Sequence, residues 1–302
     1  MSDFVIEKVE YMGWPNCFRL SNGRIQLIVT TDIGPRIIHL STHDGENIFK
    51  LYAELAGQTG GDSWLNYGGH RLWHAPEDPV RTYYPDNTAV RVEHQKGLIR
   101  FIKEIESTNG FQKEIDISLH PDKPEATVTH RLRNHNLWAV EAAPWALSVM
   151  REGGQGFLLH PPRQSHADCL VPLSALILWA YTDLGDGRYS LTPRTTRLQQ
   201  VSGATTPQKI GIQTTEGWCG YHWQEYLFLK QITPNPEGHY PDLGSRMELF
   251  TDATMLEVET LGPLQIIQPG QTAEHVERWV LLNNQPKSLN DDALVSTLAS
   301  LE

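Results

Sequence analysis

The segment from Ser63 to Pro85, SWLNYGGHRLWHAPEDPVRTYYP, holds the densest set of reactive side chains in this sequence. His70, Arg71, His74, Glu77 and Arg81 stand there among Trp64, Tyr67, Trp73, Tyr83 and Tyr84. Imidazoles exchange protons near neutral pH, guanidinium groups clamp oxygen-rich ligands, and the Gly68-Gly69 pair lets a ligand approach the backbone closely. In an extended chain Arg71, Trp73 and Ala75 share one face, while His70, Leu72 and His74 share the other. Two histidines at that spacing fall short of the three or four ligands a zinc site needs, so no metal is expected. A Gly-Gly turn followed by an aromatic core strand with a satisfied histidine is the structural alternative.

A second segment, Met255 to Pro263 (MLEVETLGP), puts Glu257 and Glu259 on one strand face with Val258 opposite. Paired carboxyls divide acid and base roles when their surroundings push their pKa values apart. Ordinary solvent-facing glutamates give the same pattern. A third segment brackets an apolar strand between Trp145 and Arg151, where Arg151 can pair with one of the glutamates. His160 stands alone before Pro161-Pro162.

Strands must position these groups. Apolar and polar residues alternate over Arg24–Thr30, Arg36–Leu40, Ala89–His94, Leu98–Lys103, Gln112–Leu119 and Ala126–Asn134. Asn22-Gly23 is a hairpin signal. Further strands are expected over Val140–Met150, Gly217–Trp223, Tyr226–Lys230, Arg246–Thr251, Met255–Thr260 and Glu274–Leu282. A short helical turn fits near Asn47–Ala56. The one convincing helix runs from Asn290 to Leu301, with Asn290 as N-cap and two acids in its first turn. Many strands with almost no helix predict an all-β fold of stacked antiparallel sheets, read as a single domain over residues 1–302.

Composition narrows the function. Of 302 residues, 39% are hydrophobic and the net charge is −11, so the chain can bury a core and lacks the basic face that nucleic acid requires. No apolar run reaches the ~18 residues of a membrane helix. Asp3 and Glu7 occupy the stretch where a signal peptide would be positive, which gives a cytoplasmic expectation. Cys17, Cys169 and Cys219 are too scattered for a disulfide framework or a CxxC site. Nucleotide-binding, serine-hydrolase and zincin motifs are absent, and no cofactor is expected. Nine Trp and ten Tyr supply aromatic faces suited to core packing and to stacking on sugar rings.

The strand-rich layout, the GGHRLWHAPE stretch and the LEVETLGP…PGQTAEHVERW ending resemble the galactose mutarotase-like (aldose 1-epimerase) superfamily. The resemblance implies a large antiparallel β-supersandwich, here with a short C-terminal helix, and a cleft for a small-molecule sugar or sugar phosphate. It implies an isomerase that interconverts sugar anomers, a glutamate taking the C1 hydroxyl proton while a histidine protonates the ring oxygen. Glu259 matches the family's glutamate base. The family's acid histidine usually lies on a central strand in a His-x-Tyr-Phe motif, whereas the similar strand here, Ala143–Val149, has none. The resemblance therefore leaves the acid role to His74, His70 or His160. Arg71, Trp73, Trp145, Arg151 and Glu257 are the expected substrate-binding residues, and the stretches around 70 and 259 are expected on opposite walls of one hollow. A non-catalytic sugar-binding protein, or a lyase or hydrolase of oligosaccharides, is the alternative on this scaffold.

Overall fold

The computed structural model describes residues 4–301. In chain order the strands are β1 (Val5–Tyr11), β2 (Trp14–Ser21), β3 (Ile25–Thr30), β4 (Arg36–Thr42), β5 (Gly69–Ala75), β6 (Arg91–Gln95) and β7 (Leu98–Ile102). There follow β8 (Phe111–Leu119), β9 (Glu125–Asn134), β10 (Val140–Met150), β11 (Gln155–Leu159), β12 (Ala175–Leu178), β13 (Tyr189–Leu191) and β14 (Thr195–Gln199). The last are β15 (Gln208–Gln213), β16 (Trp218–Trp223), β17 (Tyr226–Gln231), β18 (Met247–Thr251), β19 (Leu256–Leu261), β20 (Gln265–Ile267) and β21 (Thr272–Leu282).

The first sheet runs β1-β2-β3-β4-β5-β10-β19-β18-β15-β12, with β20 added beside β10. The second runs β13-β14-β11-β16-β17-β21-β9-β8-β7-β6. Every named strand pair is antiparallel. The expected all-β sandwich is thus the observed architecture. The Asn22 side chain accepts from the Arg24 and Ile25 amides and closes the turn between β2 and β3, as the Asn-Gly signal implies.

Alternation decides which side chains fill the space between the sheets. From the first sheet Leu72, Met150, Ile210, Leu249, Leu256 and Val258 point there; from the second, Ile115, Val128, Leu158, Phe228, Trp279 and Leu281 meet them. The core also holds a polar chain. His70 Nδ1 contacts Ser148 Oγ at 2.8 Å and its Nε2 lies 2.7 Å from His130 Nε2. Glu277 accepts from Thr260 at 2.5 Å and Trp279 at 2.7 Å, and pairs with Lys230 at 3.0 Å. A buried charge costs several kcal/mol unless paired and hydrogen-bonded, and this carboxylate is both.

The C-terminal helix (Asp291–Ala299) starts where Asn290 accepts from the Ala293 amide at 2.9 Å. Leu294 and Leu298, one helical turn apart, pack on Leu227, Leu229 and Val280 from the outer side of the second sheet. The turn expected near Asn47–Ala56 is a single 3-10 turn at Ala53–Leu55. No helix among the described residues is long and apolar enough to cross a membrane.

Candidate functional site

The outer face of the first sheet, turned away from the second, carries the chemistry. Five adjacent strands form its floor in the order β5-β10-β19-β18-β15. Register lays the side chains out in rows. Arg71 faces Leu147, Leu147 faces Glu259, Glu259 faces Glu248, and Glu248 faces Gly211. In the next row Val149 faces Glu257, Glu257 faces Phe250, and Phe250 faces Lys209. Two basic side chains from outer strands of the floor therefore bracket carboxyls from its middle strands.

The contacts follow from that layout. Lys209 Nζ lies 2.8 Å from Glu248 and 3.0 Å from Glu259, and both glutamates are fully buried. Trp145 donates its indole N–H to the same Glu259 oxygen at 2.8 Å. The other Glu259 oxygen is buried without a hydrogen-bond partner. Arg71 pairs with Glu257 at 2.8 Å, and its guanidinium lies 4.2 Å from the Trp73 ring centre and 5.3 Å from that of Trp64.

Electrostatics then separate the two glutamates. Burial pushes the Glu259 carboxyl well above its ordinary range; Lys209 pulls it back, while Glu248 and Glu257 push it further up. Burial works against the Lys209 charge, but Glu248 and Glu259 together hold the ammonium well above the usual lysine range. One ammonium cannot neutralise two buried carboxyls, so one of them keeps a proton. Glu259, which also feels Glu257, has surroundings that favour its protonated form.

Loops turn this floor into a cavity of about 270 Å³. Trp64, Asn66, Glu77 and Tyr83 come from the segments on either side of β5; Tyr181 follows β12; Asp252 and Met255 close the turn between β18 and β19. Trp64, Trp73, Tyr83 and Trp145 contact one another edge to face, with ring centres 4.8–5.4 Å apart. Tyr83 donates to Glu77 at 2.5 Å.

Of the residues expected from the sequence, Arg71, Trp73, Trp145, Glu257 and Glu259 line this cavity. Four others, His70, His74, Arg151 and His160, do not. His70 is fully buried between the sheets and His74 packs against Phe111, because both project from β5 opposite Arg71 and Trp73. Burial, with smaller contributions from neighbouring cations, keeps both imidazoles neutral, His74 at about 3. Arg151 pairs with Glu46 at 2.6 Å and stacks on Trp223, beyond the end of β10 and away from the cavity. His160, the remaining candidate for the acid, contacts Thr196 at 2.7 Å in the second sheet. The expected opposite walls are also corrected: the stretches around 70 and 259 lie in one floor, separated by β10 alone.

No protein-family model and no curated protein sequence matches this chain. Solved structures do. One described as a possible aldose 1-epimerase from Klebsiella pneumoniae superposes with TM-score 0.61 at 13% identity, over 99% of this chain and 87% of that one. A galactose mutarotase-like protein from Lactobacillus casei gives TM-score 0.59 at 9% identity, over 88% of this chain and all of the other. The chain has the galactose mutarotase-like fold. A TPR-domain containing protein from Parabacteroides distasonis contains the fold as well, at TM-score 0.58 and 13% identity; this chain spans 48% of its length.

On this galactose mutarotase-like fold the cavity uses residues that sequence reasoning passed over, chiefly Lys209, Glu248, Tyr181 and Asp252. A signal for Lys209 did exist, since Ile210 and Ile212 alternate with Lys209 and Gly211 and mark Lys209 as facing away from the core. The tightest grouping of potential metal ligands among the described residues is His70, His130 and Glu277, within 4.8 Å of one another. Its two imidazole nitrogens are 2.7 Å apart, a hydrogen-bond separation. Tetrahedral zinc at ~2.0–2.1 Å from each would need about 3.3 Å between them. Lys230 already supplies the positive charge beside Glu277, so the grouping is a core hydrogen-bond network.

Proposed function

We propose that the cavity binds one sugar ring and that this chain interconverts its anomers with two carboxyls in different protonation states. Glu257, paired with Arg71, accepts the proton of the C1 hydroxyl. The Glu259 carboxyl donates its proton to the ring oxygen as the bond between C1 and that oxygen breaks. The open-chain carbonyl turns, the ring closes on the other face, and both protons return along the reverse path. Acid–base assistance of this kind is worth ~10²–10⁴ in rate.

The observation that carries this reading is the free, buried oxygen of Glu259 beside Glu257 on an aromatic floor. Supporting it, the volume is slightly below the ~300–1,000 Å³ of typical small-molecule sites and suits a single ring better than a chain. The fold is shared with a galactose mutarotase-like protein and a possible aldose 1-epimerase. The role of Glu259 differs from the base expected of it, because burial beside two other carboxyls favours its protonated form.

Magnetisation-exchange NMR on a panel of free sugars tests the proposal. Acceleration over buffer that disappears in Glu259→Gln and in Glu257→Gln supports it. Saturable binding without exchange would make the chain a sugar-binding protein, and new reducing ends or unsaturated products would mark hydrolysis or elimination.

A further inference from the structure

The charges around the cavity do not balance. Its lining holds two cations, Arg71 and Lys209, against four carboxyl groups, Glu77, Asp252, Glu257 and Glu259. Glu248 adds a fifth through Lys209, and Asp242 lies close enough to feel Glu248, Lys209 and Glu77. Both cations are already committed, Arg71 to Glu257 and Lys209 to Glu248 and Glu259. Even with a proton on Glu259 the lining keeps a negative surplus, and Glu77 and Asp252 at the rim lack a cationic partner among the described residues.

No basic cluster is available for an anionic ligand. Arg36 is buried against Asp86, Arg81 pairs with Asp78 outside the cavity, and Arg151 is held by Glu46. The aromatic faces act in the same sense, because a ring face is electron-rich and attracts ammonium groups. The site already uses them so: Lys209 Nζ lies 4.7 Å from the Trp145 ring centre and 4.8 Å from that of Trp179.

Building on the sugar-site reading above, we infer that the preferred ligand is an amino sugar, a hexose carrying a protonated amine, ahead of neutral hexoses and with sugar phosphates and uronates rejected. Glu77 and Asp252 set this preference from the rim, and the tryptophan faces accommodate the ammonium group between them. One net unit charge about 7 Å away, at an effective dielectric near 40, is worth about tenfold in affinity.

Calorimetric titration of the full chain at low ionic strength and about pH 6.5, where the amine is protonated, tests this. The probes are glucosamine, galactosamine and mannosamine, the parent hexoses, and the hexose 6-phosphates. The expected result is about tenfold tighter binding of at least one amino sugar than of its parent hexose, a gap that shrinks with added salt, and the weakest binding for the phosphates. In a Glu77→Gln/Asp252→Asn variant the ratio of amino-sugar to parent-hexose affinity should fall several-fold, whatever the change in the parent affinity itself; an unchanged ratio would overturn the inference. Equal binding of every amine and its parent, or tighter binding of a phosphate, overturns this inference and leaves the sugar-site reading standing. Failure of all nine probes to bind overturns the sugar-site reading itself, and this inference with it.

Discussion

Trp145 reaches diagonally across the β10–β19 pair to hold Glu259: it sits opposite Leu261 in register, yet its indole N–H donates to the Glu259 carboxyl at 2.8 Å. Cross-strand diagonals of this kind are within reach of large aromatic side chains. The contact fixes one Glu259 oxygen, together with Lys209, and leaves the other buried without a hydrogen-bond partner. Trp145→Phe keeps an aromatic ring but removes the N–H donor and part of the indole volume. Anomer exchange should fall about tenfold, the cost of one neutral-to-carboxyl hydrogen bond, with little change in KM. A steady-state series in an NMR exchange assay separates the two parameters; a change confined to KM would mean that Trp145 acts on the sugar alone.

Lys209 is the counter-charge for two buried carboxyls at once. Lys209→Met fills the same space and strands Glu248 and Glu259 together. Removing one partner of a buried pair typically costs ~3–5 kcal/mol, because the remaining charge has nothing to meet. The loss should be large at neutral pH and partly recovered in acid, where the carboxyls can take up protons. Adding Glu248→Gln should restore part of the stability. Urea unfolding of the single and double variants supplies the comparison, and equal stability of Lys209→Met and the parent would contradict the ion-pair account.

The faces of the strands were legible in the sequence; what covers them was not. Alternation alone assigns Arg71 and Trp73 to one side of β5 and His70 and His74 to the other, and the structure keeps that split. It cannot say which side meets the second sheet, since Leu72 and Trp73 are equally good core residues. The histidines therefore looked as available as the arginine. Lys209 stayed hidden for a different reason. Ile210 and Ile212 turn Lys209 away from the core, but a lysine on an outward strand face is usually solvated, so its direction alone does not mark it as buried. The pairing of β15 with β18 sets it beside Glu248 and Glu259, and that long-range burial leaves no local mark. The C-terminal helix was readable because its N-cap and apolar spacing are local.

Asp242 gives a pH dependence with a definite sign. It sits in a left-handed backbone conformation at φ +50°, followed by Leu243 at +60°. Burial, then Glu248, raise its carboxyl to about 6, with Glu77 adding and Lys209 opposing. The ordinary value is 3.8, so as pH falls through 6 the folded state takes up this proton before the unfolded chain does. Its contribution to stability is therefore complete below 3.8 and lost above 6. Asp242→Asn carries no charge at any pH, and asparagine tolerates the same backbone conformation. The variant should melt above the parent at about pH 7.5, with the gap closing by about pH 4, in paired thermal unfolding scans. A constant gap at both pH values would assign the effect to backbone strain instead.

His74 supplies the sharpest separation between stability and catalysis. His74 is 4% exposed, its Nδ1 has no hydrogen-bond partner, and the Phe111 ring centre lies 5.3 Å from its own. Burial, then Lys113 and Arg81, depress its pKa from 6.5 to about 3, with Asp78 opposing. Between those values the unfolded chain binds a proton that the folded chain refuses, so this histidine removes stability as pH falls below 6.5. His74→Leu replaces a partnerless polar group with an apolar one of similar size. It should stabilise the fold by roughly 1–3 kcal/mol at about pH 8, the cost of an unsatisfied buried nitrogen, and by more at about pH 5. Because His74 faces away from Glu257 and Glu259, anomer exchange should be unchanged. Loss of exchange with intact stability would return this imidazole to the reaction and refute the two-carboxyl mechanism.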